Sequence, residues 1–305
     1  MTTAIAPGEA TDASLGAVPP HTSGDAPSRT SGDVAVTAAS HFTLILWSIV
    51  VIAPLLWVLL SSFKTSREIF ESPFSLPGDW NLTNYRTAWT EERFGDYFLN
   101  TIAVVGSALV IVMLLGSMCA YVLARFQFPG NRLIYWMMLA CLTFPIFLAI
   151  VPLFKLMQNV HLLNRQPGLV VVYVAFALPF TVFFLYPFFR RLPDEIAEAA
   201  AVDGAGEWRT FFQVMLPMAR PGIASVAIFN FLGLWNQFLL PVALNSDQDN
   251  YVLSQGMSRF ASGAGYSVDF GSLFAAVIIT VLPVLVMYVI FQRQLAGSVS
   301  QGTLK

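Results

Sequence analysis

The sequence predicts an all-α polytopic membrane protein, on two observations. The first is composition: of 305 residues, 56% are hydrophobic and only 11% are charged. A soluble domain carries roughly a quarter charged residues, so much of this apolar surface needs lipid. The second is its distribution. Six stretches, near residues 42–63, 99–124, 133–154, 168–188, 221–240 and 272–292, contain no Asp, Glu, Lys, Arg or His. Each holds about 20 residues, enough at ~1.5 Å per residue to cross a ~30 Å hydrocarbon core. They are too long for barrel strands, and backbone groups in lipid must be satisfied within the segment, so each is a helix.

Before the first span, residues 1–40 are rich in Ala, Ser, Thr, Gly and Pro and hold no run apolar enough for a signal-peptide core, which predicts a disordered cytoplasmic tail. Residues 41–305 then form one transmembrane domain. Pro54, Pro145, Pro152, Pro179 and Pro283 fall inside predicted spans. Each removes a helix hydrogen bond and favours a kink, although Pro is common in membrane helices generally. An even number of spans puts both termini on one side. Lys and Arg divide almost evenly between the two sides, but Arg125 with Arg132 and Arg190 with Arg191 flank their helices closely, which favours termini in the cytoplasm.

The loop between the fourth and fifth spans reads as a surface helix. Pro193 suits a first helical position, Asp194 and Glu195 favour the positive end of the helix dipole, and Gly204 suits termination. Ala197, Ala200 and Ala201 share a face, a small-residue surface suited to close docking in a cleft. In the fifth span, Asn230, Trp235, Asn236 and Gln237 offer amides and an aromatic ring. Polar solutes are held by ring stacking and by amide hydrogen bonds, so these residues, with Tyr121 and Asn100, are the candidate substrate pathway. The alternative is that the amides join helices and the Trp anchors at the interface. The segment 245–270 reads as a long outer loop rich in Ser, Gly, Asn and Asp.

Several function classes are disfavoured. A net charge of −2 without a basic stripe gives nucleic acid no footing. Cys119 and Cys141 lie in apolar stretches and read as packing residues, and His21, His41 and His161 have no metal-binding spacing. None of Lys64, Lys155 and Lys305 follows a Gly, so the chain has no phosphate-cradling loop and is not its own ATPase. No predicted span carries an ionisable residue of the kind that ion-coupled transporters and intramembrane hydrolases use. Sodium bound by unwound backbone would escape that test.

The loop helix resembles the cytoplasmic motif of bacterial ABC importer permeases: E-A-A, three residues, G, nine residues, I, one residue, L-P. Glu198, Ala199, Ala200, Gly204, Leu216 and Pro217 match in place, with Val214 standing for Ile. Ordinary residue frequencies put a chance match at about 1 in 10⁴. The order of Ser61-Ser62-Phe63-Lys64, Asn84-Tyr85, Asn100-Thr101, 120–125 (AYVLAR) and Trp235-Asn236-Gln237-Phe238 is similar to the maltose-type carbohydrate subfamily, over residues 42–305. The stretches 142–147 and 231–236 are similar to actinobacterial subunits for N-acetylglucosamine and chitobiose.

That resemblance implies a non-catalytic permease subunit of a plasma-membrane sugar importer, working by alternating access. The helix bearing Glu198, Ala199, Ala200, Asp203 and Gly204, with Leu216 and Pro217, would couple it to two copies of an ATPase subunit, which alone bind ATP and Mg. A second, similar permease chain completes the core. An extracytoplasmic solute-binding protein would dock near Gln255, Gly256 and Met257, with residues 66–97 adding contacts. Glycerol phosphate import and ion-coupled transport are the alternatives.

Overall fold

A computed structural model describes residues 31–263 and 269–300, and among these residues there is no strand. In chain order the elements are α1 (Ser31–Ser61), α2 (Ser66–Glu71), α3 (Thr83–Arg86) running into a π-helical turn (Thr87–Glu91), α4 (Phe94–Arg125), α5 (Asn131–Thr143), α6 (Ile146–Asn159) and α7 (Gln166–Arg191). Then follow α8 (Asp194–Val202), α9 (Glu207–Arg209), a second π-helical turn (Thr210–Met215), α10 (Leu216–Met218), α11 (Arg220–Trp235), α12 (Leu239–Leu244), a 3₁₀ turn (Gln248–Asn250), α13 (Leu253–Ser262) and α14 (Phe270–Ser300).

Four segments, Ala39–Ser61, Phe94–Arg125, Gln166–Arg191 and Phe270–Gln292, are long and apolar enough to cross a membrane alone. Two more candidate spans are bent pairs: α5 with α6 at 104°, and Glu207–Met218 with α11 at 79°. The third span, expected as one helix over 133–154 with prolines inside it, is instead two helices broken at Phe144–Pro145 and extends to Asn159. Phe144 and Pro145 are both extended (ψ 121° and 117°); the proline ring disfavours helical geometry in Phe144, the residue before it. The fifth span ends at Trp235 rather than 240, and the chain restarts as α12 at Leu239. Pro54, Pro152, Pro179 and Pro283 lie within continuous helices. The first helix begins at Ser31 rather than 42. Residues 1–30 of the expected tail lie outside the described residues, as do 264–268 of the expected outer loop. The rest of that loop is largely helical, formed by the 3₁₀ turn and α13.

The chain divides into two compact units, Met1–Ala53 and Pro54–Lys305. The first contains the N-terminal part of α1, where Ser40, Thr43 and Ser48 return their hydroxyls to carbonyls one turn earlier. In the second unit, α4 and α7 form the centre. Gly116 of α4 is required there: a Cβ would overlap the Thr181 side chain of α7. The Thr181 hydroxyl donates to the Ala177 carbonyl (2.9 Å) and accepts from Asn230 Nδ2 of α11 (2.8 Å). Water-driven burial is absent between helices in lipid, so close packing and such hydrogen bonds, about 0.6 kcal/mol each on average, hold the bundle. Two apolar clusters sit along α4. One gathers Phe94, Tyr97, Val104, Tyr173, Trp235, Leu240 and Leu253; the other gathers Tyr121, Leu123, Val182, Phe189, Phe211 and Met215.

Candidate functional site

At the end of the bundle where α4 and α7 finish, α8 projects on a short tether. Asp194 and Glu195 occupy its first turn, where carboxylates complement the dipole. Pro193 is the N-cap (ψ 141°), not the first helical residue as expected, since its fixed φ serves the cap equally well. Gly204 has φ +78°. Its amide donates to the Ala201 carbonyl (3.0 Å) and that of Ala205 to the Ala200 carbonyl (2.9 Å), the paired bonds of a Schellman termination that glycine adopts without strain.

The expectation that the Ala197, Ala200 and Ala201 face awaits a partner is corrected. Ala200 is buried and Ala197 half-buried. Ile196 and Ala197 pack on the cluster that holds Phe211 and Met215, because small side chains let α8 lie close to its own π turn. The outward face is instead Glu195, Glu198, Ala199, Ala201 and Val202, with Val202 88% exposed. Asp203 caps the helix, Val214 and Leu216 are half-buried, and Pro217 sits just before the 79° bend into α11.

Two arginines fasten this platform. Arg125, the last residue of α4, donates to the Leu192 carbonyl (2.7 Å) and the Pro193 carbonyl (3.3 Å) and pairs with Asp194 at 2.8 Å. In return, Arg190 of α7 donates to the Ala124 carbonyl (3.0 Å). Guanidinium groups here satisfy the carbonyls that helix ends leave open.

Within the bundle, a cavity of about 260 Å³ opens between the start of α6, α7 and α11, lined chiefly by Phe176, Phe180, Phe229, Asn230, Gly233 and Gln237. Two of the sequence-selected residues, Asn230 and Gln237, therefore meet at one cavity. The three phenylalanines were missed. Phe176 and Phe180 stand at i, i+4 spacing on one helix face, but the chain has 26 Phe and spacing alone does not separate these two from the lipid-facing ones.

The other pathway residues lie elsewhere. Trp235 is corrected: it is 4% exposed, packs on Phe98 and Phe231, and its Nε1 donates to the Thr280 carbonyl (3.1 Å). That carbonyl adjoins Ile279, whose helical donor is missing because Pro283 has no N–H. Trp235 thus joins α11 to α14 and presents no face to a ligand. Asn236 caps its own helix through the Leu232 carbonyl. Tyr121 belongs to the cluster near α8 and Asn100 to the opposite end of α4, about 30 Å apart along the helix, so one sugar does not touch both. Asn100 is also fully engaged, donating to the Asp249 and Tyr251 carbonyls and accepting from Gln166 Nε2 (2.7 Å).

At that opposite end, Gln255, Gly256 and Met257 are corrected as a presented surface. The Gln255 amide is buried and donates to the Asn245 carbonyl (2.7 Å). A Cβ on Gly256 would overlap the Tyr97 ring, and Met257 is half-buried. These small and amide residues tie α13 inward. What faces outward is a charged rim. Arg93, left-handed at φ 62°, pairs with Asp249 (2.9 Å) and Asp96 (3.0 Å), and these bonds, Asp249 foremost, hold its guanidinium pKa above the usual value. His161 and Asn164 are the other described non-glycine residues with positive φ. Asn164 accepts from Ser246 and its carbonyl accepts from Asn250.

The profile of the family described as "Binding-protein-dependent transport system inner membrane component" matches residues 112–301. The diacetylchitobiose uptake system permease protein NgcG of Streptomyces coelicolor is 66% identical over 275 residues, covering 90% of this chain and 91% of that one. The trehalose transport system permease protein SugB of Mycobacterium tuberculosis is 31% identical, covering 83% of this chain and 92% of its own. A crystal structure of a bacterial ABC transporter involved in the import of the acidic polysaccharide alginate shares the fold, with TM-score 0.77 at 18% identity over 88% of this chain and 99% of that one.

Proposed function

Since the chain belongs to the family of binding-protein-dependent transport system inner membrane components, we propose that it is the permease subunit of an ATP-driven importer for a chitin-derived disaccharide. The observation that carries the sugar assignment is the 66% identity to a diacetylchitobiose permease along nearly the whole chain. The cavity between α6, α7 and α11 fits that use. Its phenylalanine rings suit the apolar faces of an N-acetylated sugar, and Gln237 suits its amides and hydroxyls, while Asn230, its Nδ2 held by Thr181, shapes the wall. At about 260 Å³ it is smaller than a typical complete ligand site, so a second permease chain supplies the facing wall.

On this reading both termini and α8 are cytoplasmic. The exposed face of Glu198, Ala199, Ala201 and Val202 enters a groove on a separate ATPase, which carries the ATP and Mg. Arg125 and Arg190 pass the ATPase's closure to α4 and α7. The charged rim around Arg93 and Asp249 faces an extracytoplasmic solute-binding protein. Alternating access follows from motion of the bent spans about a fixed midplane site. Coupling is reciprocal: the docked binding protein shifts the ATPase state by the same free energy as the ATPase shifts docking.

The test is uptake of radiolabelled diacetylchitobiose, N-acetylglucosamine, trehalose and glycerol phosphate in cells with and without this gene. Loss of diacetylchitobiose uptake alone supports the assignment. Selective loss of glycerol phosphate uptake overturns the sugar reading, and unchanged uptake of diacetylchitobiose overturns its specificity.

A further inference from the structure

Residues 70–82, at the end of the bundle opposite α8, expose five large apolar side chains: Phe70, Phe74, Leu76, Trp80 and Leu82, with Phe74 91% exposed. In a loop surrounded by water that exposure would be costly. The loop, however, turns back along the span it has just left. Trp57 Nε1, one turn before the end of α1, donates to the Pro73 carbonyl at 2.8 Å, and the same indole packs edge-on against Phe274, one turn into α14 (centroids 5.3 Å). Pro73 is thus level with residues about 6 Å inside the ends of two spans. Trp80 packs on Phe63 (5.3 Å) and Phe70 on Phe270 (5.0 Å), which fixes both flanks of the loop at the ends of the same two spans.

At that depth backbone polar groups need internal partners. Lys64 supplies them: its side chain is buried, and Nζ donates to the Ser72 carbonyl (3.0 Å), the Pro73 carbonyl (3.3 Å) and Ser75 Oγ (3.2 Å). The Ser75 amide returns to the Ser72 carbonyl (3.2 Å), and Pro73 and Pro77 have no N–H to satisfy. The charged Glu71 pairs with Arg67 (2.7 Å) on the exposed side of α2. A loop with its Ser72 and Pro73 carbonyls closed by a buried lysine, its Pro73 carbonyl also tied to the Trp57 indole near a span end, and apolar side chains projecting beside the spans matches the demands of the bilayer interface.

We propose that residues 70–82 are an interfacial anchor seated among the lipid headgroups and upper acyl chains, continuing the membrane surface of α1 and α14, and that Lys64 is the residue that allows the loop to lie there. That this is the outer leaflet rests on the orientation given under the proposed function.

The test uses the full chain in lipid nanodiscs. Subtracting the emission of Trp80→Phe from that of the unaltered protein isolates Trp80. Expected is strong quenching by lipids brominated high on the acyl chain, weaker quenching by lipids brominated near its end, and little by aqueous iodide. Strong iodide quenching without lipid quenching overturns the proposal and assigns the loop to a protein partner. As a second measurement, a nitroxide on Phe74→Cys, with Cys119→Ser and Cys141→Ser, should collide more with oxygen than with a water-soluble nickel complex; the reverse overturns the anchor. Separately, a membrane-impermeant maleimide on Arg67→Cys, again with Cys119→Ser and Cys141→Ser, reports the side, and labelling in intact cells is expected. Labelling in inverted vesicles but not in intact cells would refute the orientation while leaving the interfacial depth supported.

Discussion

Arg125 carries the attachment of α8 to the bundle, and its removal has a calculable effect. Its side chain is 9% exposed, while that of its ion-pair partner Asp194 is 83% exposed. The pair with Asp194 is therefore screened and contributes at most about 0.5 kcal/mol. The 2.7 Å bond to the Leu192 carbonyl is charge-assisted and largely out of water, contributing roughly 1.5–3 kcal/mol. The 3.3 Å bond to Pro193 is long and adds little. Arg125→Ala should then loosen α8 by about 2–3 kcal/mol, raising its local opening roughly 30- to 140-fold. Hydrogen exchange of the chain in nanodiscs reads this directly: amides of residues 194–203 should lose that factor of protection while the interiors of α4 and α7 hold theirs. Arg125→Lys should recover only part, because a single ammonium lacks the fork that reaches two carbonyls. Asp194→Ala should be near neutral. Exchange within twofold of the unaltered chain for Arg125→Ala would refute the reasoning, and an equal effect from Asp194→Ala would move the weight from the carbonyls to the ion pair.

Three further outcomes are expected. Gly116→Val should force α4 from α7, since even a Cβ meets Thr181, and should cost about 1–3 kcal/mol, read as a lower Tm in detergent; an unchanged Tm contradicts the close approach. Trp235→Phe keeps the ring but loses the bond to the Thr280 carbonyl, so stability should fall by about 1 kcal/mol with the KM for sugar unchanged, whereas Gln237→Ala should raise KM; the opposite pattern would return Trp235 to the sugar path. Glu68 accepts from the Thr65 amide in a capping box, and that bond, first among its causes, lowers its pKa from 4.5. A lowered folded-state pKa gives stability that is present above the unfolded value and lost as pH falls through the folded one, so the protection factors of amides in 66–72, the intrinsic rate at each pH divided by the observed one, should fall only on acidification below about pH 4, and that fall should be absent in Glu68→Gln.

The spans were legible because lipid imposes one simple demand, uninterrupted apolar length, and α4, α7 and the apolar part of α14 meet it. The bend at Phe144–Pro145 was marked by its proline, yet Pro152 and Pro179 lie in continuous helices, so the residue type alone does not separate a break from a kink. In the site, the Glu198–Gly204 motif was legible because fixed spacing on one short helix survives folding. The direction of its alanine face was not, since a small face packs as well on its own chain as on a partner. Trp235 and Asn100 stand out for their hydrogen-bonding groups and Gln255 only through the family resemblance, but each group is consumed by a carbonyl ten or more residues away, and single-sequence patterns hold no record of such partners. The Phe176, Phe180 and Phe229 wall emerges only when α7 and α11 cross.

The most direct test of ATP-coupled sugar import through α8 is simultaneous measurement of diacetylchitobiose uptake and ATP hydrolysis in proteoliposomes holding the whole importer, with this chain either unaltered or carrying Glu198→Lys on the exposed face of α8. The unaltered chain should take up sugar only with ATP and liganded binding protein, and Glu198→Lys should insert normally yet lose uptake and the stimulation of hydrolysis by binding protein. Uptake at the unaltered rate by well-inserted Glu198→Lys would contradict the coupling role of α8, and uptake without ATP would contradict the ATP-driven importer itself.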